Sequence, residues 1–193
     1  MTIGERNRGV QAMNNETPLG APVSARKRMT LFRAGEGVAL DHETMPFDGV
    51  DPETMAGLAR IMGSGPRAAD ASHTTILFQS GGEEGVSLSH AWFKTGFISP
   101  RHSHNADCIY YILAGEARFG AARLGPGDGI YVPAEQAYVL EVGNEGCELL
   151  EFRNAAQFNI HFKGNDAAHW EKVSQSYARH MPQWENERPP SQR

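Results

Sequence analysis

The sequence predicts an all-β protein, a sandwich or barrel of short strands with a short helix before it and another helix after it. Two observations indicate this class. From residue 74 to about residue 165, short apolar runs alternate with clusters of Gly, Pro, Asn and Asp, and no helical period interrupts them. Segments such as Gly125-Pro126-Gly127-Asp128 also supply the φ angles that tight turns need. The chain is therefore expected to reverse its direction many times.

Short strands are predicted throughout this region, with a further one near the start of the chain. They are Met29–Arg33, Thr74–Gln79, Val86–Lys94, Cys108–Leu113, Glu116–Phe119, Ala121–Leu124, Gly129–Val132, Ala137–Val142, Glu148–Arg153 and Phe158–Phe162. Turns are expected where glycine recurs between two strands, at residues 81–82, 125–128 and 143–146. This pattern requires a sheet-based core.

A short helix is predicted over residues 52–62. Asp51 can cap its first turn, and Pro52 is favoured at the first helical position. Met55, Leu58 and Met62 then recur at helical spacing, so we expect these side chains to pack into the core.

A second helix is predicted to run from Asp166, which can cap it, toward Met181. It places Trp170, Val173 and Tyr177 on one stripe. The expected organisation is a flexible N-terminal arm over residues 1–27, a barrel over 28–165 that includes the 52–62 helix, and a C-terminal helix and tail over 166–193.

Composition limits the function classes. The chain has 193 residues with 40% hydrophobic content, which suits one core better than two. Its formal charge is −5, and no stripe of Lys and Arg could neutralise a phosphate backbone. We therefore expect a single domain that does not bind nucleic acid.

Cysteine content and hydropathy indicate the expected compartment. The first residues lack the apolar run of a secretory signal, and no segment reaches membrane-spanning length, so we expect a cytoplasmic protein without membrane association. The two cysteines, Cys108 and Cys147, are too few for a disulfide framework and are expected to be reduced. Cys147 is interpreted as structural.

The stretch GFISPRHSHNADCIYYILAG, residues 96–115, carries the strongest functional signal. Alternate side chains of a strand share a face, so His102 and His104 present two imidazoles that could bind one metal ion. The same parity places Cys108, Tyr110 and Ile112 on the histidine face. A soft sulfur ligand is thus available beside two nitrogen ligands.

This stretch resembles the first motif of the cupin superfamily, in which a glycine, His-x-His, a carboxylate and a second glycine recur at fixed spacing. The matching residues are Gly96, His102, His104 and Gly115, while the second motif of the family is matched only by Gly127 and Pro133. The resemblance covers residues 86–153 and implies a double-stranded β-helix, or jelly-roll, barrel with the site inside.

Two departures from the family pattern define the candidate site. Cys108 stands where the family has its glutamate ligand, and Tyr138 stands where it has its last histidine. Cys108 could replace the carboxylate as a thiolate, and Tyr138 could coordinate as a phenolate, donate a hydrogen bond or act as an acid or base. Alternatively, Cys108 packs as a small hydrophobe and Tyr138 fills the space of an imidazole.

The predicted site therefore consists of His102, His104 and Cys108 around one divalent transition metal (Fe, Zn, Cu, Ni or Mn), with Tyr138 as the catalytic residue. Glu151 and Arg153 share one face of a strand and could line the cavity or form a surface pair.

Two functions follow from this site. The first is a metal-dependent enzyme of the dioxygenase type that acts on a small organic substrate. The second is a metal-free cupin that serves as a small-ligand binding module or an isomerase. A homodimer is also expected, because the apolar strand Ile76-Leu77-Phe78 offers a sheet edge that a second subunit would cover.

Overall fold

The structure, a computed structural model, describes residues 29–65, 67–81 and 85–193. The predicted arm over residues 1–27 lies outside these ranges, and residues 32–193 form one compact unit. The described strands are β1 Val38–Ala39, β2 Phe47–Asp48, β3 Ser72–Gln79, β4 Ser87–Phe93, β5 His102–Ser103, β6 Cys108–Phe119, β7 Ala122–Leu124, β8 Gly129–Val132, β9 Leu140–Arg153 and β10 Ile160–Phe162. The α-helices are α1 Pro52–Met62 and α2 Ala167–His180.

The strands form two sheets. The larger sheet has seven strands in the order β1-β3-β4-β9-β6-β7, with β8 also paired to β6, and the smaller one has the order β2-β10-β5. This mostly β, two-sheet arrangement with two helices agrees with the predicted jelly roll. The described strand pairs do not join into one closed ring, so a closed barrel stays a prediction.

The two longest strands, β6 and β9, differ from the sequence prediction, which divided each of them into two. The predicted turn at residues 143–146 is wrong, because these residues lie within β9. Gly115 and Gly146 have φ angles of 74° and 71°, and a Cβ on Gly115 would lie 2.1 Å from the carbonyl oxygen of Gly146. The glycines thus let the two backbones pass closely through bulges, and the strands continue beyond them.

The predicted strand over Met29–Arg33 is also wrong. These residues have no regular secondary structure, and the first strand is β1, where Val38 and Ala39 pair with Ile76 and Thr75 of β3. Met29 and Leu31 are exposed. An apolar run becomes a strand only where a neighbouring strand pairs with it.

Both predicted helices are present. The side chain of Asp51 accepts a hydrogen bond from the amide of Thr54 at 2.7 Å, and Asp166 accepts one from the amide of His169 at 2.8 Å. Side chains of α2 at the predicted stripe are buried: Trp170, Val173 and Tyr177. No helix in the described part of the chain has the length and apolar character to cross a membrane.

The predicted buried face of α1 is wrong for Met55 and Met62, whereas Leu58 is partly buried and packs against the core as expected. Met55 and Met62 are each 58% exposed, and the buried residues are Thr54, Gly57 and Ile61. Gly57 is the reason, because a Cβ there would lie 2.1 Å from the indole of Trp170. The helix turns its glycine toward α2 so that the two helices can approach, and its methionines consequently face outward.

Replacement of Gly57 by alanine tests this helix contact. We expect Gly57→Ala to lower the free energy of unfolding by about 1–3 kcal/mol through overpacking against Trp170. At an exposed helical position the same change would stabilise the protein by about 1 kcal/mol. Urea denaturation of the variant and the native protein measures the sign of the change in the free energy of unfolding. A Gly57→Ala protein that is more stable than the native one would contradict the packing described.

Candidate functional site

A cavity of about 460 Å³ lies between the two sheets. Most of its wall is apolar and comes from both sheets and from the segment that precedes α1, with side chains that include Leu40, Met45, Phe47, Phe93, Phe97, Leu140, Ile160 and Phe162. Its polar residues include His102, His104, Tyr110, Tyr138, Glu151 and Arg153. A concave, mostly apolar space with a few convergent polar groups is typical of a small-molecule site.

Tyr138 is placed beside His102 by backbone pairing. The amide of His102 donates to the carbonyl of Tyr138 at 3.0 Å, and the amide of Tyr138 donates to the carbonyl of His102 at 2.9 Å. The two rings consequently lie 4.5 Å apart between centroids. The structure thus brings Tyr138 to the predicted histidine pair.

Backbone carbonyls orient both imidazoles. Nδ1 of His102 lies 2.7 Å from the carbonyl oxygen of Pro100, and Nδ1 of His104 bonds the carbonyl oxygen of Asn159. A carbonyl can only accept, so each Nδ1 carries a hydrogen, and a neutral ring then has its lone pair at Nε2. Burial lowers the pKa of His102 to about 4, and burial together with Arg153 lowers the pKa of His104. Both imidazoles are therefore neutral acceptors near neutral pH.

A buried guanidinium lies against this histidine pair. Arg153 is 2% exposed, and its Nη2 lies 3.5 Å from Nε2 of His104 and donates to the hydroxyl of Tyr110 at 3.1 Å. Its Nη1 donates to a carboxylate oxygen of Glu151, and its Cζ lies 4.0 Å from the ring centroid of Phe158. Burial opposes the charge, but Glu151 and the neighbouring groups raise the pKa of Arg153, which stays a cation.

The hydroxyls of Tyr110 and Tyr138 hydrogen-bond each other beside the guanidinium. Burial raises the pKa of both phenols. Both phenols are therefore protonated. The positive charge of Arg153 polarises the two O–H groups in turn, because they form a short chain of hydrogen bonds that leads toward the cavity.

Cys108 does not line the cavity, although its thiol interacts with Tyr110 from within the core. It points inward, as the strand parity predicts, but it lies in the core cluster and is absent from the cavity wall. Burial raises the pKa of its thiol to about 12, so without a metal it is a neutral thiol at neutral pH. Cys147 is a fully buried core residue, as its structural interpretation requires.

The described residues do not fit a metal ion in this arrangement. No three side chains of His, Cys, Asp or Glu among them converge on one point. The carboxylate of Glu151 is engaged by Arg153, whose guanidinium also faces Nε2 of His104, the atom that a metal would need. The metal at His102, His104 and Cys108 therefore stays a prediction that this geometry does not favour.

Sequence reasoning left Arg153 and Glu151 open and gave Tyr110 no role. The available signal was a charged pair at alternate positions of the run CELLEFR, on the face whose other members are apolar. Strand parity shows that the two residues share a face of the strand, but it does not show whether that face is buried. The neighbouring strands are needed to distinguish an inward charged pair from a surface pair.

Comparisons with known proteins bear on the fold. No protein-family model matches the chain, and no curated protein matches it significantly. The polyketide cyclase RemF from Streptomyces resistomycificus is 15% identical over 83% of this chain and 99% of that one, with a TM-score of 0.50. KdgF from Halomonas sp. is 15% identical over 66% and 95% of the two chains, with a TM-score of 0.44. A cupin superfamily protein from Desulfitobacterium hafniense is 26% identical over 42% of this chain and 75% of that one, with a TM-score of 0.37.

The low pKa of His102 predicts a pH dependence of stability. The folded state favours the neutral ring, whereas the unfolded chain takes up a proton near pH 6.5, so this stabilisation is complete above that pH and is lost as the pH falls toward 4. Between pH 7.5 and pH 4.5 we expect the free energy of unfolding to fall by about 2–3 kcal/mol more in the native protein than in His102→Gln. Urea denaturation with a chelator present measures this difference, and equal pH dependence in both proteins would contradict it.

Proposed function

We propose that this chain, whose residues 96–115 resemble the first cupin motif, holds a small organic molecule in this cavity and catalyses proton transfer on it without a metal. The observation that carries the proposal is the guanidinium of Arg153, which lies at the two-histidine site and supplies the positive charge there. A fixed cation and its hydrogen-bond donors can stabilise negative charge that develops on a bound oxygen.

The cavity wall indicates the class of substrate. Its formally charged side chains are one cation, Arg153, and two carboxylates, Asp41 and Glu151, so it does not attract an anion. The remaining wall is largely aliphatic and aromatic. We infer a neutral, mostly apolar molecule that carries a carbonyl or hydroxyl oxygen.

The polar residues have complementary roles in this proposal. Tyr110 accepts a hydrogen bond from Arg153 and donates its own hydrogen to Tyr138, which leaves the hydroxyl of Tyr138 free to donate to the oxygen of the ligand. Nε2 of His102 is the base. It takes a proton from the carbon beside the carbonyl, and the C–H electron pair forms the C=C bond of an enolate while the C=O π pair moves onto the oxygen that Tyr138 holds. In a ketone with a further C=C bond next to that carbon, return of the proton to the far end of the conjugated system restores the carbonyl and gives an isomer.

The weak basicity of His102 in the empty site is compatible with this role. Its pKa is low because of burial, with a smaller contribution from the charge of Arg153. Negative charge that develops on the ligand oxygen beside Tyr138 offsets both effects and raises the proton affinity of the imidazole. The proton transfer and the charge on the oxygen therefore support each other.

The metal-dependent dioxygenase is the second candidate, and one observation favours it. Both histidines bond a carbonyl through Nδ1, which leaves the lone pair at Nε2, as in metal-ligating histidines. If Arg153 moved away and the Glu151 carboxylate turned toward the imidazoles, His102, His104 and Glu151 could hold a divalent transition metal, which would supply dioxygen or Lewis-acid chemistry. Metal analysis separates the two candidates.

Removal of the guanidinium should create a metal site. We expect Arg153→Met to bind about one Zn²⁺ or Ni²⁺ per chain after reconstitution, because Glu151 and Nε2 of His104 lose the group that they share and the Glu151 carboxylate becomes free to turn toward the imidazoles. The native protein and the control Arg118→Met, which removes an exposed arginine, should hold metal only at background level. Elemental analysis of untagged protein measures this, and stoichiometric metal in the native protein would contradict the metal-free proposal.

Proton transfer can be measured without knowledge of the natural substrate. In heavy water we expect the protein to catalyse deuterium incorporation beside the carbonyl of at least one ketone from a panel of small aromatic and aliphatic ketones. Tyr138→Phe should slow this exchange about 100-fold because the oxygen loses its donor. The control Tyr111→Phe, which alters an exposed tyrosine, should retain the native rate. Ligand binding without exchange would indicate a binding module and refute the enzyme.

A further inference from the structure

The outer face of the seven-stranded sheet is apolar. Its large side chains are 41–58% exposed and come from three adjacent strands: Ile109, Tyr111, Leu113, Tyr131 and Phe152. They alternate with the inward residues Cys108, Tyr110 and Ile112 along β6, which makes CIYYIL a continuous apolar run. Such a run is typical of a strand that is covered on both faces.

Strand register makes these side chains neighbours. Ile109 lies opposite Tyr131 on one side and Phe152 on the other, and Phe152 in turn lies opposite Leu88. Tyr111 lies opposite Leu150 in the next row. Directly opposed residues of adjacent strands have Cβ atoms about 4.5–5.5 Å apart. The exposed side chains therefore form one patch, which we call the outer apolar face.

Charged and titratable side chains around this face have partners within the chain, and Asp107, next to Tyr131, accepts hydrogen bonds from the amide of Ala134 and the side chain of Asn154. Nε2 of His90 lies 3.2 Å from a carboxylate oxygen of Glu148, on strands β4 and β9 that carry Leu88 and Phe152. Farther along β6 and β9, Arg118 forms an ion pair with Glu141. The side chains of the outer apolar face are themselves uncharged, and the carboxylate of Asp107 at its rim would repel an acidic partner or an anionic membrane surface.

We propose that the outer apolar face is the interface between two copies of this chain. A twofold contact places the same patch against itself, which a patch of uncharged, apolar side chains permits. Aromatic side chains carry about 150–250 Å² each, so Tyr111, Tyr131 and Phe152, each about half exposed, contribute roughly 300 Å². Ile109, Leu113 and the half-buried Leu88 and Leu150 extend this area toward the about 800 Å² per partner of a standard interface.

This proposal moves the predicted dimer contact from a sheet edge to a sheet face. Strand β1 pairs with Ile76 and Thr75, so part of the edge beside Ile76-Leu77-Phe78 is already covered within the chain. The exposed side chains of β6, β8 and β9 lie away from that edge, in the middle and at the other side of the sheet.

Light scattering coupled to size exclusion tests the proposal. The native protein should have twice the 21.1 kDa chain mass. The variants Tyr131→Glu and Ile109→Glu should have the mass of one chain, and a cooperative thermal unfolding transition should show that both are folded. Met55→Glu is the matched control, because Met55 and Tyr131 are both 58% exposed, and it should remain a dimer.

Hydroxyl-radical footprinting of the native protein provides a test that needs no variant. Oxidation of Tyr131 and Phe152 should decrease as protein concentration rises through the association range, whereas oxidation of Met55 should not change. A native monomer at high concentration, or a dimer that survives both glutamate variants and leaves Tyr131 unprotected, would overturn the proposal.

Discussion

The ion pair between Arg153 and Glu151 is the constraint on which the site depends. Both residues are buried on the inward face of β9, and loss of either partner would leave a desolvated charge at a cost of about 3–5 kcal/mol. The cation must therefore stay where its partners are, and those partners are Glu151, Tyr110 and His104. Tyr138 is linked to the same group through Tyr110. One guanidinium thus determines the polarity of the whole polar end of the cavity.

This constraint explains the residue that stands in place of the usual carboxylate. Cys108 and Ser87 lie directly opposite Arg153 on the two neighbouring strands, and Ser89 lies opposite Glu151. All three are small and almost fully buried. A long side chain at Cys108 would compete with Arg153 for the interior. Cys108 is accordingly a small core residue beside the guanidinium, and the chemistry at the histidines depends on Arg153.

Strand parity was sufficient to predict the histidine pair and the inward direction of Tyr110, because a period of two is a local property of the chain, whereas Tyr138 was indicated by the resemblance to the cupin motif. It was insufficient for Arg153, whose position depends on which strands flank β9. The same limit applies to Gly57, which is required because its helix contacts Trp170 on a helix distant in sequence. It also applies to residues 143–146, whose turn-like sequence forms a bulged strand because it pairs with β6. Long-range partners decide these cases.

The most direct test of the metal-free site is a crystal structure of the native protein grown with excess Zn²⁺ or Ni²⁺ and measured at the absorption edge of the metal. The account predicts guanidinium density between Glu151 and His104, and no anomalous peak within bonding distance of Nε2 of His102 and His104. An anomalous peak bound to both imidazoles, with Arg153 displaced from Glu151, would contradict it.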